Sequence, residues 1–123
     1  MLRKDGAVFV IETKAHGGRV TEQRGELLLN GRPFEKDILK QIHANIYWLR
    51  EFIKTRFDIE PWITAAIVFP NAYVVVRRTL RGVDAINGRY LERWMAKARG
   101  NPRIAGRLWS RTAAIKAELL KTK

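Results

Sequence analysis

The chain contains no cysteine, which excludes a disulfide framework, a thiolate zinc site and a cysteine nucleophile together. Histidine occurs only as His16 and His43. Two imidazoles without thiols do not supply the usual zinc ligands, so both read as surface or loop residues. No apolar run approaches the ~18 residues of a membrane span. The opening Met1-Leu2-Arg3-Lys4-Asp5-Gly6 holds no apolar signal region, so a cytoplasmic location is expected. Acidic residues are scarce, at 12 against 24 Lys and Arg, for a formal net charge of +12. Such a surplus selects an anionic partner, nucleic acid first and an acidic membrane surface second. What remains is ordinary: 123 residues, 46% hydrophobic and 29% charged, which excludes a disordered chain and suits one compact domain.

The charge is unevenly placed. Residues 1–76 hold eleven basic and nine acidic side chains, whereas residues 77–123 hold thirteen and three. The first part is therefore expected to carry the core and any acidic chemistry, and the second to meet a polyanion. Asp5-Gly6 reads as a turn, and Ala7-Val8-Phe9-Val10-Ile11 as a buried strand continuing to Glu12-Thr13-Lys14. Arg24-Gly25 and Asn30-Gly31 bracket Glu26–Leu29, the mark of a small β-ribbon or an ordered loop. From Glu35 to Phe57, Ile38, Ile42, Ile46, Leu49 and Ile53 recur at helical spacing, and Glu60-Pro61 ends the helix. Strands are predicted at Trp62–Phe69 and Ala72–Val76, with helices beyond. Ile86, Tyr90, Trp94 and Ala98 mark one helix, closed by Gly100. Asn101-Pro102 opens another, with Ile104, Leu108, Ile115 and Leu119 inward and Trp94 and Trp109 as core residues.

Three groups could carry chemistry. Residues two apart on a strand share a face, so Glu12 and Lys14 stand together at the strand's end. A carboxylate there can hold Mg²⁺ or Mn²⁺, and a neighbouring lysine can stabilise charge on a phosphate; a strand-end salt bridge gives the same pattern. Gln41 lies on a helical line with Asn45, Trp48 and Phe52 beside the apolar stripe, where it can reach the Glu12/Lys14 end or merely flank the core. Arg89, Arg93 and Lys97 share one helical spacing, and Arg103, Arg107 and Arg111 repeat it, with Arg77, Arg78 and Arg81 clustered ahead of them. Few acids offset these, which favours phosphate contact over a solvated face.

The run Val8-Phe9-Val10-Ile11-Glu12-Thr13-Lys14-Ala15-His16-Gly17-Gly18-Arg19-Val20 resembles the central motif of the NERD (nuclease-related) domain, in which an apolar strand ends in Glu-x-Lys and is followed by a glycine. The hairpin, the helix with Gln41 near its start and the Ile63–Phe69 strand follow in the family's order, so the resemblance covers about residues 5–80. The family is similar to restriction-endonuclease-like PD-(D/E)xK enzymes. The resemblance implies that Glu12 is a metal-binding carboxylate, the Thr13 carbonyl a second ligand, Lys14 the motif lysine and Gln41 the helix glutamine. It also implies a metal-binding Asp on a preceding strand and an acidic helix before that. With Met1 eleven residues ahead of Glu12, both would fall upstream of the chain.

The expected architecture is α/β: a restriction-endonuclease-like mixed sheet, N-terminally truncated, with a helical C-terminal extension, divided as a NERD-like core over 1–80 and a basic helical extension over 81–123. The expected function is a metal-dependent phosphodiesterase acting on DNA ahead of RNA, with Mg²⁺ or Mn²⁺ as cofactor. The alternatives are a non-catalytic nucleic-acid-binding module using the C-terminal arginines and an interaction protein that meets an acidic protein or membrane. The missing strand leaves Ala7–Lys14 as an open edge with an uncovered apolar face. That predicts a homodimer, or a Val20–Leu29 segment folded back as cover.

Overall fold

The computed structural model describes residues 1–122, with side chains described to Glu118. The strand β1 (Ala7–Thr13), helix α1 (Ile38–Phe57) and strand β5 (Trp62–Phe69) form its centre. β1 and β5 are parallel, with Val8 opposite Ile63 and Glu12 opposite Ile67, so the chain must cross over between them, and α1 is that crossover. Asp37 starts the helix by accepting the Lys40 amide at 3.0 Å, and Asp58, at φ 54°, ends it by donating its amide to the Lys54 carbonyl. The start falls three residues later than Glu35, because the Asp37 side chain satisfies a first-turn amide. Ile38, Ile42 and Ile53 of the apolar stripe are buried, and Ile46 and Leu49 are partly so.

A second sheet is built from β2 (Gly18–Gln23), β3 (Glu26–Leu29), β4 (Arg32–Pro33) and β6 (Ala72–Val75), in the order β4-β3-β2-β6. Two-residue turns join the ribbon strands. Arg24 and Gly25, then Asn30 and Gly31, all have positive φ, which matches the twist of paired strands. The β1 strand passes into β2 through residues 14–17, and β5 passes into β6 through Pro70-Asn71. Since both strands switch sheets side by side, β2 and β6 stay parallel, as β1 and β5 are. The ribbon packs Val20, Leu27 and Leu29 against the first half of α1 and against Ile67 and Phe69.

The segment expected to be helical around Ile86 is a strand, β7 (Val83–Asn87), parallel to β5 in the order β1-β5-β7. Arg81 and Gly82 turn the chain with positive φ, and Val83 and Ala85 then alternate inward against the core. The four-residue spacing of Ile86, Tyr90, Trp94 and Ala98 imitated a helix across a strand, a short 3₁₀ turn (Gly88–Tyr90) and helix α2 (Leu91–Lys97). The final helix is likewise divided, into α3 (Ala105–Ser110) and α4 (Thr112–Thr122), with a break at Arg111. Ile104, Leu108 and Ile115 do point inward; the Leu119 side chain lies outside the described residues. Trp109 is 43% exposed rather than core, with the Lys4 ammonium 5.6 Å from its ring centroid.

The outer edge of β1 is partly covered within the chain. Met1–Arg3 run antiparallel beside Ala7–Phe9, with Leu2 opposite Val8, the Met1 ammonium donating to the Phe9 carbonyl and the Phe9 amide donating to the Met1 carbonyl. The Asp5-Gly6 turn fits tightly under the C-terminal segment: a Cβ on Gly6 would lie 2.6 Å from the Asn101 carbonyl. Phe9 is covered by Trp94, ring centroids 5.7 Å apart, and Arg3 donates to the Met95 and Ala98 carbonyls. The N-terminal hairpin and Trp94 of α2 thus cover the Ala7–Phe9 half of β1 within the chain, whereas Val20–Leu29 belongs to the second sheet. No described helix is long and apolar enough to cross a membrane.

Candidate active site

Side chains of β1 alternate. Val8 packs under α1 with Ile53, Val10 against the Ile42 cluster, and Glu12 and Lys14 continue on that face past the end of the apolar core. The α1 helix runs back over the strand, so its early turns meet the strand's late residues. Asn45 donates its amide to Glu12 Oε1, and Lys14 Nζ donates to Gln41 Oε1 at 3.4 Å. Lys14 Nζ and Glu12 Oε2 are 3.9 Å apart, with the two side chains 26% and 19% exposed. A loose ion pair flanked by two amides results, drawn from two elements. The expected trio of Glu12, Lys14 and Gln41 is brought together, and Asn45 joins it. Asn45 was legible as a member of the Gln41 line, one turn on, but not as the group that orients Glu12.

Lys14 and Gln41 open onto a cleft of about 290 Å³ walled by His16, Phe34 and Ile38. His16 stands edge-on to Phe34, centroids 5.2 Å apart, so one imidazole does sit at the rim. A cleft of similar size, about 310 Å³, lies on the other side of Phe34 and touches neither Glu12 nor Lys14. His43 bonds the Arg81 carbonyl at 2.8 Å and takes no part.

Among the described residues, no three His, Cys, Asp or Glu side chains gather to hold a metal. Asp5 is turned to the other end of β1, where two bonds from Arg3 and one from the Ala7 amide hold its carboxyl below the ordinary range. Glu12 Oε2 and the Thr13 carbonyl are the oxygens that β1 offers a hard cation, and Glu35 lines the cleft beside Lys14. The Lys14 amide bonds Val68 across the β1–β5 pair at 2.9 Å, so the Thr13 carbonyl on the same peptide points the other way, to the open edge. Mg²⁺ is commonly held by one or two carboxylates, with water and substrate phosphate completing its shell. This donor set fits such a cation.

The basic candidates do not form two helical faces. Arg89 lies in the 3₁₀ turn, Arg93 and Lys97 on α2, Arg103 before α3, Arg107 on α3 and Arg111 at the break. All are exposed. Arg107 is engaged, donating to the Asp58 carbonyl at the end of α1 at 2.8 Å. Arg78 is paired with Glu22 at 2.6 Å.

No curated protein and no solved structure significantly matches the chain. The family of the nuclease-related domain, NERD, matches residues 1–70. That stretch ends just past β5 and contains β1, the ribbon, α1 and every member of the Glu12, Lys14, Gln41 and Asn45 cluster. Nuclease-related function, interaction with nucleic acid and use of a divalent metal are general properties of that assignment, and PD-(D/E)xK placement is consistent with it. The chain belongs to the NERD, nuclease-related domain family.

Proposed function

We propose that the chain is a phosphodiesterase that cleaves DNA at the Glu12/Lys14 end of β1. The observation that carries this is the convergence of a carboxylate and an ammonium on one strand face, each met by an amide from α1. Mg²⁺ or Mn²⁺ bound at Glu12 and the Thr13 carbonyl would supply Lewis-acid charge and a more acidic water. The chain's own groups do the rest. The Asn45 amide fixes one oxygen of Glu12 and leaves the other for a ligand. The Gln41 carbonyl draws the Lys14 ammonium toward the cleft, where its charge meets a phosphate oxygen as negative charge builds there. Exposed cations in the 3₁₀ turn, on α2 and around α3 hold the flanking backbone: Arg89, Arg93, Lys97, Arg103 and Arg111.

DNA as the substrate rests on the family resemblance, and matched RNA is its control. A second reading, binding without cleavage, is favoured by the single carboxylate of the cluster. Plasmid nicking in Mn²⁺ or Mg²⁺ separates the two. Cleavage should appear with the metal, stop with EDTA and be lost in Glu12→Ala, which still binds DNA. Full-rate cleavage by Glu12→Ala would overturn the nuclease reading. No cleavage by the folded wild-type chain would leave the binding module.

A further inference from the structure

The α1 flank that meets β1 carries Gln41, Asn45, Trp48 and Phe52 in succession. The first two bond Lys14 and Glu12; the next two are aromatic. Trp48 and Phe52 stack with centroids 5.2 Å apart and planes 15° from parallel, and the Arg56 guanidinium lies 5.8 Å from the Phe52 centroid. Phe52 is only 8% exposed, whereas Trp48 is 48% exposed. Phe52 therefore holds the indole by one face. With Phe52 on one side, about half of the Trp48 surface is left open to solvent. Trp48 and Asn45 are about 4.5 Å apart along the helix axis, at three residues of rise.

A rigid, half-exposed indole one turn from the group that orients Glu12 is suited to a planar, apolar-faced ligand next to whatever Glu12 and Lys14 hold. In a chain of net charge +12, with Lys14 in the cleft, the ligand that combines anionic linkage and planar rings is a nucleotide strand. Bases inside a duplex already have both faces stacked, so away from a duplex end only an unpaired base can offer one to the indole. We propose that Trp48 is the stacking platform for one unpaired nucleobase beside the phosphodiester at Glu12 and Lys14. The substrate is then single-stranded or locally unpaired nucleic acid. This rests on the nuclease reading above.

The test measures binding of labelled oligothymidylate and of a duplex of the same length by anisotropy, using the full chain in chelator. Trp48→Leu keeps an apolar side chain on Phe52 but removes the π face. Single-strand affinity should fall roughly 5- to 150-fold, the range for one lost base stack, with duplex affinity and the salt slope unchanged. Trp48→Phe should recover most of the loss. Trp62→Ala, at an indole that is 57% exposed on β5 and off this line, should change neither affinity. Undiminished single-strand affinity in a Trp48→Leu protein that melts like Trp48→Phe would overturn the platform, as would an equal loss for duplex. Since binding is read without metal, a chain that never cleaves can still pass. Glu12-dependent cleavage with unchanged Trp48→Leu binding would sink the platform alone and leave the nuclease reading standing.

Discussion

The residues up to 70 and those beyond are built to different rules. The first stretch is nearly balanced in charge and holds the carboxylate, the lysine and the amides in one local unit, strand, helix and strand, with the ribbon alongside. The later stretch holds nearly all the surplus positive charge, yet it is not an appendage. It adds β7 to the parallel sheet, lays Trp94 over Phe9, and seats Leu108 and Ile115 against Val8, Phe52 and Ile53. A part that contributes cations to the surface also closes the core beneath the site. The lesson is that composition can divide a chain into roles that the fold does not divide into bodies.

The largest effect should come from breaking that closure. Leu108 is 1% exposed, and Leu108→Ala should destabilise the whole chain by about 2–5 kcal/mol. Chemical denaturation should show one transition that moves as a unit. Two transitions would mean that the C-terminal part is a separate body after all. Next is the site itself. Asn45→Ala frees Glu12 from its orienting amide and should lower metal-supported cleavage about 10–100-fold, the usual range for a group that orients a ligand. Kinetics over a Mn²⁺ titration would show part of the loss as weaker metal dependence.

The cations give a smaller and more graded effect. Arg103→Glu with Arg111→Glu should lower the slope of log affinity against log salt by about two, one for each phosphate contact. Arg107→Glu should instead lower the melting temperature and leave the slope nearly alone, because Arg107 already serves the Asp58 carbonyl. The smallest effect is on pH. Asp5 is held below its ordinary value by the Arg3 hydrogen bonds first, and Glu22 by the Gly25 amide and then Arg78. Both carboxyls bind a proton less readily folded than unfolded. Their stabilisation is therefore present above about pH 4–4.5 and fades as pH falls through their lowered folded values. Melting curves of Asp5→Asn and Glu22→Gln should differ from wild type near neutrality and converge with it in acid.

Much of the first stretch was legible because local physics dictates it. An apolar, β-branched run ending in Glu-x-Lys must put both charges on one face if it is a strand. The Ile38–Ile53 stripe must turn inward if it is a helix. The Asn30-Gly31 turn had one cheap backbone solution. The second half was read less well for a physical reason. Residues 83–98 carry apolar side chains that fit a period of four across a strand, a 3₁₀ turn and a helix, and only pairing with β5 selects the strand. Leu2 and Arg3 gave no strand signal, since a three-residue edge is held by its partner and not by its own propensity.

Sequence alone determined the pair at the end of β1, the helix that faces it, the ribbon turns and the concentration of positive charge beyond residue 76, because periodicity, turn chemistry and charge are properties of neighbours in the chain. Tertiary structure decided that Asn45 holds Glu12, that Trp48 stands half-exposed on Phe52 a turn away, that Arg107 is tied to the end of α1, and that the Ala7–Phe9 half of β1 is covered by its own N-terminal hairpin and Trp94. Those outcomes depend on which distant surfaces meet and on the direction each side chain takes across the contact. Spacing within one element carries no information about either.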